Sequence, residues 1–234
     1  MICGLQKMTL LDFPGKIACT VFLGGCNFRC PFCHNSELFT GKQEMLMEDE
    51  AFFAFLRKRQ GLLDGVCVSG GEPTLYKDLP EFLSGIKALG FQVKLDTNGS
   101  RPEVLWELLQ KNLVDYVAMD VKNSPAMYAQ TVGVEKLDLA PIEESLRLLL
   151  TGTTPYELRT TLVSQLHSGA SIQDMGAWLV SLVTGVKPKK LFLQSFVDRD
   201  TVLFAGLSAP ETEVTAGFAK ILEPFAEEVT IRNS

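Results

Sequence analysis

A chain of 234 residues that is 46% apolar and 21% charged can bury a substantial core. Its formal charge of −6 runs against the basic surplus of a nucleic-acid binder, although a locally basic pocket stays open. No apolar run reaches the roughly 18 residues of a membrane span, and the opening MICGLQKMTLLDFPGK lacks the basic-apolar-small order of a secretory leader. A cytoplasmic protein with no membrane and no nucleic-acid partner is the expectation.

In chain order, a first strand is predicted at 16–23 (KIACTVFL), followed by a helix over 46–60 with acids in its first turn and bases in its last. A strand at 65–69 leads to a helix at 78–89 that ends before Gly90, and a strand at 91–97 leads to a helix at 101–112 that opens on Pro102. Strands at 115–121, 156–163 and 190–196 alternate with helices at 140–151, 171–183 and 212–225. The last run, EVTIR at 228–232, reads as either a seventh strand or a tail. Six alternations imply a parallel sheet with right-handed crossovers, either doubly wound or closed part-way into a barrel. With no linker or low-complexity stretch, one domain over 1–234 is expected.

In both architectures ligands sit at the carboxyl ends of the strands. Those ends carry GGC at 24–26, SGGEP at 69–73, DTNG at 96–99, MDVK at 119–122 and QSF at 194–196. One active site on one rim would leave this pattern.

Half of the six cysteines fall within CNFRCPFCHN, at Cys26, Cys30 and Cys33. A disulfide leaves one thiol over and suits a reducing compartment poorly. Zinc would need His34 as its fourth ligand, yet His34 adjoins Cys33, and adjacent residues rarely both reach one tetrahedral metal. Three thiolates at these spacings better suit a [4Fe-4S] cluster, wrapping one corner and leaving the fourth iron open to a small molecule.

CNFRCPFC resembles the C-x3-C-x-aromatic-C motif of the radical S-adenosylmethionine enzymes, with SGGEP after the second predicted strand as in that superfamily. DFPGKIACTVFLGGCNFRCPFCHN is similar to the opening of the glycyl-radical-enzyme activating proteins, the compact class that acts on anaerobic ribonucleotide reductase above all. The resemblance implies an α/β fold, a partial (β/α)6 TIM-like barrel in a single domain with a parallel sheet. It implies a [4Fe-4S] cluster, S-adenosyl-L-methionine, and a monovalent cation such as Na or K. It implies as partners a glycyl radical enzyme and a low-potential electron donor such as flavodoxin or ferredoxin. Activation of a pyruvate formate-lyase type of enzyme, chemistry on a small molecule, and a non-enzymatic zinc-binding protein are the alternatives.

Residue roles follow from the same resemblance. Cys26, Cys30 and Cys33 are expected to hold the cluster, Phe32 to lie beside the adenine, and Gly70, Gly71, Glu72 and Pro73 to meet the methionyl amino group. Asp96, Thr97 and Asn98 form the segment where relatives hold the cation, although an Asx-type turn is the plain alternative. Asp120 and Lys122 match a D-x-K pair whose side chains share a strand face. Arg159, inside an apolar strand, needs a ligand carboxylate or an acidic partner. Asp12 is expected to face the partner's glycine loop, and His34 to approach the adenine or the peptide, or else to order the cluster loop. His167 has no motif around it and reads as a loop or surface residue.

Overall fold

The computed structural model describes residues 1–40 and 44–232. Eight strands run β1 (Ile2–Thr9), β2 (Ala18–Leu23), β3 (Gly65–Gly70), β4 (Gln92–Thr97), β5 (Tyr116–Asp120), β6 (Tyr156–Leu162), β7 (Lys190–Ser195) and β8 (Glu228–Arg232). The helices are α1 (Asp49–Arg57), α2 (Leu79–Ala88), α3 (Pro102–Gln110), α4 (Pro125–Val132), α5 (Ala140–Thr151), α6 (Gly169–Ser181) and α7 (Thr212–Leu222). The strands form one sheet in the order β1 to β8. β1 pairs antiparallel with β2, while β2–β3, β3–β4, β6–β7 and β7–β8 are parallel. The order has two ends, β1 and β8, so the sheet is open. This is the expected α/β architecture.

The chain divides into two compact units: Met1–Asn27, Glu37–Thr97 and Glu103–Ala118 form the first, and Phe28–Ser36, Asn98–Pro102 and Met119–Ser234 the second. In the first, β3 reads as a nearly continuous apolar run because both its faces are covered. Helix α2 turns Leu79, Phe82, Leu83 and Ile86 inward at helical spacing and stops ahead of Gly90, whose φ of +89° suits glycine. Phe82 stacks on Phe52 of α1 with ring centroids 5.5 Å apart, an aromatic contact worth about 1 kcal/mol beyond area burial.

In the second unit, α6 is opened by a reciprocal cap. Ser171 N–H donates to Ser168 Oγ at 3.2 Å, and Ser168 N–H donates to Ser171 Oγ at 3.0 Å. Helix α4 ends in the left-handed Gly133, with φ +67°.

Six strand–helix alternations stand where the sequence puts them, and residues 228–232 are a strand, not a tail. Two elements differ. β1 carries no clean alternation because it is an antiparallel edge strand whose middle, Gln6 to Met8, faces solvent. Helix α4 spans only eight residues between β5 and α5, too few to show a helical stripe.

Candidate functional site

In the first unit the turn after β3 is built on glycine. A Cβ on Gly70 (φ +124°) would lie 2.3 Å from Leu23 O, and one on Gly71 would lie 2.0 Å from Gly25 O. Only bare backbone permits the approach, in which Gly71 N–H donates to Leu23 O at 2.9 Å and Glu72 N–H to Gly25 O at 2.8 Å. The residues leading into Cys26 are therefore clamped to the end of β3.

Glu72 follows with a carboxylate only 1% exposed. Its Oε1 accepts from Thr74 N–H (3.1 Å), Thr74 Oγ1 (2.5 Å) and Thr97 Oγ1 (2.7 Å), which ties the ends of β3 and β4 together. Pro73 opens the short 3-10 turn that Glu72 caps. At the end of β4, Asp96 Oδ2 accepts from Ser69 Oγ at 2.9 Å while Oδ1 pairs with the ammonium of Lys94. Lys94 is 2% exposed, and its Nζ also lies 3.8 Å from Cys67 Sγ. Asp12, on the β1–β2 connection, accepts from Thr20 Oγ1 at 2.5 Å, beside the exposed Leu10 and Leu11.

The second unit holds the loop 28–36. Arg29 N–H donates to Val132 O at 2.8 Å, and a Cβ on Gly133 would sit 2.2 Å from Arg29 O, so the loop packs on the end of α4. Cys33 N–H donates to Cys30 O at 3.1 Å in a tight turn. His34 Nε2 is 2.6 Å from Val197 O, its ring stacks on Phe196 at 5.7 Å, and Ser36 Oγ donates to Thr201 O. The histidine thus orders the loop against the end of β7, and burial pushes its pKa down. All six cysteines are free thiols. Burial pushes the Cys33 thiol up, while the Asn35 backbone and the Lys122 charge act the other way.

Beneath that loop lies a compact ionic group. Lys122 Nζ donates to Asp120 Oδ2 at 2.8 Å, and Arg159 Nε donates to Asp120 Oδ1 at 2.9 Å. Burial works against the Lys122 charge, but Asp120, Cys30 and their neighbours outweigh it and hold the ammonium protonated well above its ordinary range. The same ammonium sits 5.9 Å from the centroid of the buried Phe32 ring. Arg159 thus has the acidic partner that its place in an apolar strand demands. Asn98 forms the Asx turn, its Oδ1 accepting from Ser100 N–H at 2.9 Å.

Three contributors escape sequence reading. Lys94 lies two residues before Asp96, on the same strand face, and that spacing was the available clue. Asn123, fully buried, donates to Thr131 Oγ1 (3.0 Å) and Leu166 O (2.8 Å), holding the turn after β5. His167 is 5% exposed rather than on the surface. Its Nδ1 lies 3.1 Å from Val163 N and 3.2 Å from Val163 O, and its Nε2 lies 2.9 Å from Lys122 O, so the ring links the residue after β6 to the turn after β5. No motif announces either residue.

Among the described residues no three His, Cys, Asp or Glu side chains stand together as a metal-holding group. The donor chemistry nevertheless fits an iron–sulfur cluster: three free thiols within eight residues, on a loop anchored along its length, with a lysine charge acting on two of them.

Known proteins agree with that chemistry. A Methanocaldococcus jannaschii protein named as a candidate glycyl-radical enzyme activating enzyme, MJ1227, is 31% identical over 99% of this chain and 95% of its own length. A pyruvate formate-lyase-activating enzyme of Listeria monocytogenes is 28% identical over 94% of each chain. A radical SAM methyltransferase from Sphaerobacter thermophilus superposes with a TM-score of 0.74 at 16% identity, covering 97% of this chain and 68% of that one, a likeness of fold. The family model of the radical SAM superfamily matches residues 20–155, more than half of the chain, including all three clustered cysteines and the β3 and β4 ends. The chain therefore belongs to the radical S-adenosylmethionine superfamily, enzymes that work with a [4Fe-4S] cluster and S-adenosylmethionine.

Proposed function

We propose that the chain is a glycyl-radical-enzyme activase, a single catalytic domain over 1–234 that acts in the cytoplasm on anaerobic ribonucleotide reductase. When bound, the cluster supplies one electron that cleaves S-adenosylmethionine to methionine and a 5′-deoxyadenosyl radical. The hydrogen atom that this chemistry would take is the one on the Cα of a partner glycine, which would leave 5′-deoxyadenosine and a glycyl radical. The electron comes from a low-potential donor such as flavodoxin or ferredoxin. The observation that carries this reading is the end-to-end likeness to activating enzymes, which spans both compact units.

The chain's own residues then bind, orient and shield. Cys26, Cys30 and Cys33 would hold the cluster, and Lys122 would offset the charge of its thiolates. The backbone of Gly70 to Pro73 would receive the methionyl amino group. The carboxylate of Glu72 is spent on Thr74 and Thr97 and acts as the brace of that turn. Arg159, oriented by Asp120, would meet the methionyl carboxylate, and Phe32 would pack beside the adenine. Asn98 would shape the turn after β4, His34 would keep the cluster loop in register, and Asp12 would face the partner's glycine loop.

The cation implied by resemblance, Na or K at Asp96 and Thr97, does not fit so readily. The Asp96 carboxylate is already paired with the Lys94 ammonium and accepts from Ser69 Oγ.

The test uses anaerobically reconstituted protein, reduced and mixed with S-adenosylmethionine and an anaerobic ribonucleotide reductase. Expected are 5′-deoxyadenosine and a glycyl-radical doublet in electron paramagnetic resonance, both abolished by Cys30→Ala. Deoxyadenosine without the doublet would remove the proposed partner. Neither product from protein with a verified cluster would remove the activase reading.

A further inference from the structure

Asp96 is the next-to-last residue of β4, where a carboxylate left bare would invite a cation. It is not bare. Lys94 precedes it by two residues on the same face of the strand, and its ammonium, only 2% exposed, pairs with Asp96 Oδ1. The other carboxylate oxygen accepts from Ser69 Oγ at 2.9 Å. Thr97 donates its hydroxyl proton to Glu72 Oε1 at 2.7 Å, a bond that does not by itself bar its oxygen from an ion, so the charge at Asp96 is decisive. A buried lysine that reaches no carboxylate would be prohibitively costly, so the pair is mutually required.

We propose that the Lys94 ammonium is the resident cation of this site, neutralising Asp96 from within the chain, so that binding of S-adenosylmethionine requires no free monovalent ion. The chemistry is direct. An ammonium and a potassium ion carry the same charge, and both are satisfied by carboxylate and hydroxyl oxygens. Tethered two residues away on a rigid strand, the ammonium forms no diffusible equilibrium with solvent ions, and its occupancy is set by folding instead of by salt. A second cation at Asp96 would meet a like charge already on the same carboxylate. The link to S-adenosylmethionine rests on the activase reading above, whereas the identity of the cation does not.

The experiment therefore has two parts. Thermal unfolding of the cluster-free full chain is followed in NaCl, in KCl and in choline chloride at one ionic strength, for wild type and Lys94→Ala. Wild type should be indifferent to the identity of the cation. The variant should be destabilised in choline chloride and recover by about 5 °C as Na or K saturates the vacated place beside Asp96. A saturable, ion-specific stabilisation of wild type would overturn the proposal, and so would a folded Lys94→Ala that responds to neither ion. If Lys94→Ala fails to fold in every salt, the wild-type series still decides. The second part measures S-adenosylmethionine affinity of the reconstituted enzymes by equilibrium dialysis. Wild-type affinity should stay within about twofold across the three salts, and that of the variant should fall at least about tenfold in choline chloride. Failure of wild type to bind S-adenosylmethionine in any salt would strike the activase reading and leave the unfolding result to judge Lys94. A wild type that binds only with Na or K would overturn the proposal alone.

Discussion

Arg159 Nε donates to Asp120 Oδ1 at 2.9 Å, so a charge on β6 is fixed by a carboxylate at the end of β5. Lys122 holds the other carboxylate oxygen at 2.8 Å. The guanidinium so oriented is what a carboxylate-bearing ligand would meet. Replacing Arg159 by Met leaves Asp120 neutralised by Lys122, so the fold should survive with a loss of about 1–3 kcal/mol in urea unfolding. S-adenosylmethionine affinity should fall at least about tenfold, read by equilibrium dialysis. Arg159→Lys should recover part of the affinity, since it keeps the charge and loses the guanidinium geometry. Unchanged affinity in Arg159→Met would make the residue structural only.

Glu72 offers a different balance, because one oxygen accepts three donors in a place that is 1% exposed. Glu72→Ala orphans all three and should cost about 2–4 kcal/mol. Glu72→Gln keeps a carbonyl oxygen in the same place and should cost clearly less. Denaturant midpoints of the two variants at constant slope give the comparison. Equal losses would mean that the charge of Glu72, not its acceptor geometry, holds the turn.

Gly71 allows no such compromise. A Cβ there would stand 2.0 Å from the backbone oxygen of Gly25 and 3.3 Å from the Cβ of Cys26, and backbone cannot swing aside as a side chain can. Gly71→Ala should cost about 3 kcal/mol or more and reduce the iron retained after reconstitution. Gly217, on α7, has nothing within 4 Å of its added Cβ. Gly217→Ala should leave iron content unchanged and gain about 0.5–1 kcal/mol from helix propensity. The pair separates steric clash from the generic effect of losing a glycine.

These residues also mark how far the sequence could be read. The cysteine spacing, the Gly-Gly pair and the strand-terminal acids are each patterns contained within a few consecutive positions, so local pattern reaches them. Partners brought together by folding are another matter. Nothing local couples Asp120 to Arg159, 39 positions away, or Glu72 to Thr97, 25 positions away, although Arg159, inside an apolar strand, announces that it needs a partner. Lys94 was within reach of the period-2 rule, but its apolar surroundings let it pass as an ordinary strand residue. β1 and α4 stayed hidden because an edge strand wetted at its centre and a helix of eight residues carry too little periodicity. His167 stayed hidden because a histidine without neighbours of catalytic type resembles any other loop residue.

His167 predicts a pH dependence whose sign can be worked out. Burial pushes its imidazole below the ordinary 6.5, outweighing the carbonyls of Lys122 and Val163 beside its two nitrogens, which act the other way. The unfolded chain therefore takes up the proton at a higher pH than the folded one. The stabilising contribution of His167 is complete above about 6.5 and is lost as pH falls from there toward the depressed folded value. The unfolding free energy should drop by up to about 1.4 kcal/mol per pH unit for this group below pH 6.5. His34 is shifted in the same direction by burial, so its own variant is the necessary control. Urea unfolding of the cluster-free chain between pH 7.5 and 5 is the measurement, on wild type, His167→Gln and His34→Gln. His167→Gln should be less stable at neutral pH and lose less on acidification, with His34→Gln keeping the His167 share of the slope. A wild-type slope that survives intact in His167→Gln would show that the fold does not hold this imidazole neutral, and that the Lys122 carbonyl is positioned by other means.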